Sequence, residues 1–183
     1  IDGEAAGDYS GGSISFSFDG SRLAIGAGDN DGNGDRSGHV RVYQWSGTSW
    51  QQLGADIDGE AARDRSGRSI SLSYDGNRLA IGAAENSTNG STSGHVRVYQ
   101  WSGTVWEQLG ANINGEAASD YSGHSVSLSS DGDHLAIGDP YNDSNGPDSG
   151  HVRVYQWSGT AWTQLGADIN GETEGDKSGF SIS

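Results

Sequence analysis

An acidic loop with a calcium-like spacing is the first group of residues in this chain that could do chemistry. Asp29, Asp31, Asn33 and Asp35 alternate oxygen-bearing side chains along a glycine-rich stretch. Oxygen ligands at every second position are typical of calcium-binding loops. The equivalent positions in the later copies of this segment are mostly not carboxylates, so a solvated loop is the competing interpretation. The loop is therefore a candidate Ca²⁺ site.

A second acidic cluster recurs more faithfully than this loop. It places carboxylates at matching positions in two successive stretches of chain, at Asp56, Asp58, Glu60, Asp64, Glu116 and Asp120. Carboxylates are hard oxygen ligands that suit Ca²⁺, so these residues are candidate metal ligands as well. The alternative is structural, because an Asp shortly before Ser-Gly often accepts backbone N–H hydrogen bonds within a turn. Calcium is the one cofactor that the sequence suggests.

Two tryptophans flank one short turn in each copy, and these pairs are Trp45 with Trp50, Trp101 with Trp106, and Trp157 with Trp162. Paired rings across a hairpin stabilise it by packing, which is the favoured interpretation. Exposed tryptophan rings can also stack on sugars, which is the alternative. Three N-glycosylation sequons fall between the second and third strands of later copies, at Asn86, Asn89 and Asn142. Because they share one loop, we expect them to be exposed.

One histidine recurs in every copy, at His39, His95 and His151, near serine-rich segments and acidic loops. A Ser-His-Asp triad needs an activated serine, and no nucleophile-elbow motif surrounds any serine here. No P-loop, dinucleotide fingerprint or zinc-type His/Cys spacing occurs either. Hydrogen bonding inside the fold is the favoured role for these histidines, and we predict that the protein is not an enzyme.

Most of these groups recur because the chain repeats itself every 56 residues. The block SGHVRVYQWSGT appears without change at 37–48, 93–104 and 149–160. A fixed period of this size is typical of propellers, solenoids and arrays. We predict three repeats and the first strand of a fourth, at 1–56, 57–112, 113–168 and 169–183.

Each repeat has the pattern of four antiparallel strands. In the first copy, 13–18 alternates small polar with large apolar residues, and the turn Asp19-Gly20 leads to a return strand at 22–26. A third strand follows at 39–45, and a short fourth strand lies at 50–53. Strands with one bulky and one small face can nest on the next sheet. We therefore predict an all-β, propeller-type array of four-stranded blades, as a closed ring or an open superhelix.

The segment Ser-Ile-Ser-Phe-Ser-Phe-Asp-Gly-Ser-Arg-Leu-Ala-Ile-Gly-Ala, followed by Gly-His-Val-Arg-Val-Tyr, resembles the FG-GAP β-propeller repeat of integrin α-chains and secreted microbial proteins. The hairpin and Val-Arg-Val-Tyr also resemble the WD40 repeat. Both resemblances imply a propeller blade. FG-GAP blades usually carry a calcium loop in the first hairpin, where this chain has only Asp19-Gly20, so the family's ligands do not carry over. The WD40 third strand ends in Trp-Asp, whereas Trp45 is followed by Ser46.

Composition narrows the classes of partner. The 183 residues carry a net charge of −15, which disfavours nucleic acid and anionic membrane surfaces. No segment approaches the ~20 apolar residues that span a bilayer, so we expect no membrane insertion. The absence of cysteine excludes a disulfide framework. Because the chain starts and ends at a similar phase of the repeat, we expect it to be an excerpt from a longer array.

These observations together favour a non-enzymatic, extracellular, structural or adhesive repeat protein that forms a fibre or surface coat. Identical units suit recognition through many weak, equivalent sites, with further repeats or copies of the chain as partners. The alternative is a calcium-assisted, carbohydrate-binding propeller that holds glycans with the tryptophan pairs and acidic loops.

Overall fold

The computed structural model describes residues 1–183 and contains three β-sheets that follow one another along the chain. The first sheet consists of β1 (Ser13–Phe16), β2 (Arg22–Ala27), β3 (His39–Trp45), β4 (Trp50–Gln52) and β5 (Ile57–Asp58). The second consists of β6 (Ser69–Leu72), β7 (Arg78–Ala83), β8 (His95–Trp101), β9 (Trp106–Gln108) and β10 (Ile113–Asn114). The third consists of β11 (Ser125–Leu128), β12 (His134–Asp139), β13 (His151–Trp157), β14 (Trp162–Gln164) and β15 (Ile169–Asn170). The chain forms no helix that could serve as a membrane span.

Every sheet is an antiparallel meander of four strands whose outermost strand is broken in two. In the first sheet β3 pairs with β4 through Tyr43–Trp45 and with β5 through His39–Val40. Gly54, with a φ of +83°, lies at the break. The predicted four-stranded, all-β blades are confirmed, and the three sheets form an open tandem array.

Neighbouring sheets nest because each innermost strand has a small face and a bulky face. Ser15 Oγ on the small face of β1 accepts a 2.9 Å hydrogen bond from Leu72 N of β6, and the same contact joins β6 to β11. Two apolar cores fill the space between the sheets. Leu79 and Ile81, which belong to the core between the first and second sheets, are fully buried. Burying one such side chain contributes about 1.5–3 kcal/mol, so sheet-on-sheet packing is the main source of stability.

A glycine in the second strand of each sheet lets the connection to the next sheet cross directly over it. A Cβ at Gly82 would lie 2.1 Å from the carbonyl oxygen of Gly123, far inside contact distance. Ser69 Oγ donates a 2.6 Å hydrogen bond to that same carbonyl. The crossing recurs at Gly26 and Gly138. These small residues therefore set the distance between sheets.

The outward face of the first sheet has no sheet packed against it. Ile14 and Phe16 are 57% and 54% exposed, whereas Leu72 and Leu128, on the corresponding faces of the later sheets, are 7% and 9% exposed. The same bulky face is thus covered twice within the array and uncovered once.

The glycine crossing predicts a large loss of stability on a small substitution. Gly82→Ala forces the two backbones apart, and we expect the free energy of unfolding to fall by about 3 kcal/mol, the upper part of the range for overpacking. Gly103→Ala is the matched control, because Gly103 has a φ of +100° and nothing within 4 Å of an added Cβ. The control should lose about 1 kcal/mol from backbone strain alone. Urea denaturation measures both values, and equal losses would contradict the steric role of the crossing.

Candidate functional site

The carboxylates of the second acidic cluster are divided between turns and the surface. Asp64 is 3% exposed, and its Oδ2 accepts a 3.0 Å hydrogen bond from Ala61 N. Asp120 makes the equivalent bond to Ala117 N at 2.9 Å. The other members of the cluster are exposed or half-buried, namely Asp56, Asp58, Glu60 and Glu116. Asp64 and Asp120 therefore stabilise the turns between sheets, and calcium binding at the cluster stays a prediction.

The residues of the first acidic loop each have a separate partner. Asp29 Oδ1 lies 3.1 Å from Arg65 Nε, and Asp35 Oδ2 lies 3.3 Å from Arg63 Nε. The other two bond to backbone groups, and they are Asp31 and Asn33. The three carboxylates do not converge into one group of metal ligands. Calcium binding here also stays a prediction.

Each tryptophan pair packs as a tilted pair of rings at the outer edge of its blade. The ring centroids of Trp45 and Trp50 are 5.5 Å apart, and those of the matching pairs are 5.4 and 5.5 Å apart, Trp101 with Trp106 and Trp157 with Trp162. Trp106 Nε1 also donates a 2.9 Å hydrogen bond to Leu53 O of the preceding repeat. These contacts support the packing role, and sugar stacking on the exposed ring faces stays a prediction.

The sequons differ in how accessible their amide nitrogens are. Asn86 is 2% exposed and Asn142 is 4% exposed, so the exposed position expected for both is wrong. Asn142 Nδ2, which would carry a glycan, donates a 3.0 Å hydrogen bond to Asp120 Oδ2. Asn89 is exposed, although its Nδ2 donates a 2.8 Å hydrogen bond to Gly115 O. Glycosylation itself stays a prediction.

A groove lies where the connections between sheets meet the loops that follow β2 and β12. It consists of a cavity of about 370 Å³ and a cavity of about 530 Å³, with Arg68 on the wall of both. The other side chains that define it are Tyr9, Asp29, Arg65, Tyr121, His124 and Tyr141. Among these residues only Asp29 was a candidate from the sequence.

The groove is lined by positions that differ between copies, while the packing residues beside it do not change. Two such positions lie three residues apart in a turn, and their successive occupants are Tyr9, Arg65, Tyr121 and Lys177, then Gly12, Arg68, His124 and Phe180. The first set has φ values of 52°, 52°, 54° and 51°, in the left-handed region. That conformation costs a residue other than glycine about 1–2 kcal/mol. Large side chains on strained backbone are typical of a functional surface on a rigid scaffold.

The wider part of the groove combines aromatic rings with the carboxylates of Asp143 and Asp148. The ring centroids of Tyr121 and Tyr141 are 5.1 Å apart, and those of His124 and Phe180 are 4.6 Å apart. Lys177 Nζ lies 4.5 Å from the centroid of the Tyr141 ring. Burial lowers the pKa of His124 below its ordinary value, and the positive charge of Arg68 acts in the same direction, against a backbone hydrogen bond that raises it. The imidazole is therefore neutral at pH 7, with its Nδ1 unpaired.

The narrower part of the groove is charged. Arg65 Nε lies 3.1 Å from Asp29 Oδ1, and Arg65 Nη1 lies 2.8 Å from Glu85 Oε1. Arg68 Nη1 also reaches Glu85 Oε1, at 3.1 Å. These ion pairs fix two guanidinium groups side by side next to the aromatic part, where both can bind a polar ligand.

The third blade matches a known repeat family. Residues 114–155 match the FG-GAP repeat. The FG-GAP resemblance predicted from the sequence is confirmed over this range, which covers β11, β12 and most of β13. No curated protein matches the chain.

Solved structures share the fold at low identity. A putative 6-phosphogluconolactonase from Bacteroides uniformis matches with a TM-score of 0.58 and 14% identity, over 86% of this chain and 40% of its own length. Hydrazine synthase of Kuenenia stuttgartiensis matches with a TM-score of 0.53 and 16% identity, over 93% of this chain and 40% of its own. The periplasmic gluconolactonase PpgL of Pseudomonas aeruginosa matches with a TM-score of 0.53 and 19% identity, over 84% and 44%. The chain spans about 40% of the length of these structures.

The prediction that the protein is not an enzyme is contradicted by these neighbours, because lactonases and a synthase are among the proteins built on this fold. At these identities the likeness establishes the fold alone, since one fold carries many activities. The prediction rested on the absence of a catalytic motif and on the recurrence of the candidate histidine in every copy. It overlooked the groove, whose only signal in the sequence is that a few positions change from copy to copy.

The hydrogen bond from Trp106 to the preceding repeat predicts that Trp106 contributes more to the free energy of unfolding than the equivalent Trp50. Trp106→Phe removes the bond to Leu53 O and leaves a buried acceptor unpaired, so we expect a loss of about 1–2 kcal/mol in the free energy of unfolding. Trp50→Phe is the matched control, because the indole hydrogen bond forms at Trp106 and Trp162 but not at Trp50. Thermal and urea unfolding measure both. Equal effects would mean that ring packing alone explains the tryptophan.

Proposed function

We propose that the protein is an extracellular β-propeller segment that binds a carbohydrate or sugar acid in the groove lined by Tyr121, Tyr141, His124, Arg65 and Arg68. The observation that carries the proposal is the composition of this groove, in which aromatic faces adjoin two fixed guanidinium groups. Aromatic rings stack on the C–H faces of sugars. Guanidinium groups bind carboxylates and hydroxyls through several directed hydrogen bonds.

The position of the groove on the array supports the same role. Its walls are loops held by identical, packed blades, which is the usual arrangement of binding residues on a rigid scaffold. Its variation from copy to copy suits one ligand that spans two repeats better than many equivalent small sites. We propose that further repeats or a second copy of the chain cover the exposed Ile14 and Phe16 face, so that a longer array presents several grooves.

The fold neighbours give the class of ligand some support. Two of the solved structures carry the names of lactonases that act on gluconolactones, the cyclic esters of a sugar acid. A sugar acid matches the groove, because its carboxylate suits Arg65 and Arg68 and its carbon chain suits the tyrosines.

Hydrolysis of a sugar lactone is the second candidate function, and His124 is the observation that favours it. This neutral imidazole lies on the wall of the groove, and its Nδ1 is unpaired but buried. It can act as a general base once a water from the groove reaches that nitrogen. The adjacent guanidinium of Arg68 could stabilise negative charge on the lactone oxygen as the ring opens.

Binding is tested by isothermal titration with D-gluconate and by a glycan array. We expect Tyr121→Ala to weaken binding at least 10-fold, because loss of a central aromatic contact commonly removes more than about 1.4 kcal/mol of binding free energy. Trp45→Ala is the matched control for the predicted sugar stacking at the outer hairpins. Loss of binding in Trp45→Ala with full binding in Tyr121→Ala would move the site from the groove to the tryptophan pairs.

Hydrolysis is tested by the rate at which the protein opens glucono-1,5-lactone above the buffer rate. The base must be neutral, so kcat/KM should fall as the pH drops through the pKa of His124, which is below its ordinary value. Activity should therefore persist at pH 6.5 and disappear in more acidic solution. His124→Gln should lower kcat/KM by about 100-fold or more. A lactonase rate unaffected by His124→Gln would exclude this base, and binding without any turnover would leave the binding role alone.

A further inference from the structure

Three equivalent clusters lie where each long central strand begins, away from the groove side chains. Each combines a glutamate from the connection into the blade, the histidine that opens the central strand, and a residue just before the last strand segment. The clusters are Glu4–His39–Asp56, Glu60–His95–Asn112 and Glu116–His151–Asp168. Ligand atoms of the first and third clusters lie within 4.8 Å of one another.

The third cluster contains a buried ring nitrogen with no hydrogen-bond partner. His151 is fully buried, and its Nε2 lies 2.8 Å from Asp139 Oδ2. Its Nδ1 has no partner in the protein. A buried nitrogen without a partner costs about 1–3 kcal/mol, so this atom is suited to a ligand that supplies the missing contact.

Asp139 makes the third cluster different from the other two. The equivalent residues in the first and second blades are Ala27 and Ala83, so only the third blade holds a carboxylate against its histidine. When Nε2–H donates to Asp139, the neutral ring presents the lone pair of Nδ1 on the other side. A carboxylate behind a histidine in this way is the usual support for a metal-binding imidazole, because it fixes the tautomer and the orientation of the ring.

We propose that Glu116, His151 and Asp168 bind a divalent transition-metal ion of the Zn²⁺ class. Imidazole nitrogen and carboxylate oxygen are donor types that bind zinc, and three such protein ligands leave a fourth position for water. An imidazole nitrogen favours Zn²⁺ over Ca²⁺, which takes oxygen ligands. Zinc ligands lie about 3.3 Å apart in tetrahedral geometry. Glu116 is exposed and can rotate onto the ion. Asp168 is half-buried and its Oδ1 accepts a 2.6 Å hydrogen bond from Gln164 Nε2, which leaves Oδ2 for the ion.

Charge supports a divalent ion in this cluster. Glu116, Asp168 and Asp139 contribute three negative charges, and Arg153, whose Nε lies 2.8 Å from Asp139 Oδ2, contributes one positive charge. With a neutral histidine, a divalent cation balances the cluster. In the first blade Arg41 lies 3.7 Å from Glu4, and the position of Asp139 is occupied by the uncharged Ala27. Only the carboxylates of Glu4 and Asp56 oppose the arginine there, so a bound divalent ion would leave an excess of positive charge.

The three blades therefore carry three versions of this site that differ in their metal ligands and in the supporting carboxylate. The first blade has all three donors but no supporting carboxylate, and His39 Nδ1 lies 3.8 Å from both Glu4 Oε2 and Asp56 Oδ2. The second blade has Asn112 in place of the aspartate, and its amide donates a 2.9 Å hydrogen bond to Glu60. We expect the affinity for Zn²⁺ to be highest in the third blade, lower in the first and lowest in the second.

Metal binding at the third site would also tie the connection between the second and third sheets to the third sheet. Glu116 belongs to the connection that follows β10, whereas His151 begins β13 and Asp168 immediately precedes β15. Because the unfolded chain lacks this arrangement, bound Zn²⁺ should raise the melting temperature.

The experiment is isothermal titration of the metal-free chain with ZnCl₂, using an Asp56→Asn background to remove the first-blade site. Asp168→Asn and Asp139→Ala are the test variants, and each copies a residue that another blade already has, so both should fold. We expect Asp139→Ala to weaken the third site by 10–100-fold and Asp168→Asn to weaken it at least as much. Circular dichroism checks that the variants remain folded.

Two further readouts separate a zinc site from general acidity. Co²⁺ in place of Zn²⁺ should give visible absorption bands typical of four-coordinate nitrogen and oxygen ligation, and these should be absent in Asp168→Asn. CaCl₂ in equal amount should not displace Zn²⁺. Identical Zn²⁺ isotherms for the background chain and Asp168→Asn, or displacement by equal Ca²⁺, would overturn the proposal. No uptake at all would overturn it too, since a proton would then hold the place of the metal at Nδ1.

Discussion

The crossing of each connection over a glycine of the preceding sheet is the contact on which the rest of the array depends. At Gly26, Gly82 and Gly138, the backbone of the next repeat passes so close that no Cβ fits. The serine hydroxyls bond to the crossing carbonyl at 2.6–2.7 Å, which fixes the register of one sheet on the next. Only then can a bulky face enter the small face of its neighbour. The same 56-residue spacing is enforced at every junction, because a slip of one residue would place a side chain in the crossing.

This rigid spacing explains how the loops at the groove can vary. Buried residues such as Ser37 and Arg41 recur unchanged in each blade. Their side chains donate hydrogen bonds to the carbonyl oxygens of Asn30, in the loop after β2, and of Asp2, in the segment before β1. Because these contacts fix the backbone of the turn, its left-handed position can hold tyrosine, arginine or lysine with the same backbone conformation. The cost of that strain is met by packing elsewhere in the blade. Side chains therefore differ between copies at positions where the backbone is well fixed, and these positions line the groove.

Much of the blade could be predicted from the sequence, because period-two alternation and the Asp-Gly turn act locally. The third strand was predicted at 39–45 and is observed at His39–Trp45. The first strand ends two residues early, since Ser17 Oγ bonds to Asp19 and closes the turn. The segment Ile57–Asp58 was missed, because two residues carry no periodic signal and pair only through the distant start of β3. Long-range pairing of this kind is fixed by tertiary structure.

The candidate sites were harder to predict for a related reason. A search for chemistry in a repeat favours residues that recur, and recurrence selects those that build the blade, such as Asp64 and Asp120. The groove and the third-blade cluster depend instead on departures from the repeat. Asp139 stands where the other blades have alanine, and it changes the role of a histidine that is identical in all three. Equal sequence around a residue therefore does not mean equal chemistry, because one altered neighbour decides which nitrogen of the ring is free. In a repeat protein the common residues explain the fold, and the exceptions are where function should be sought.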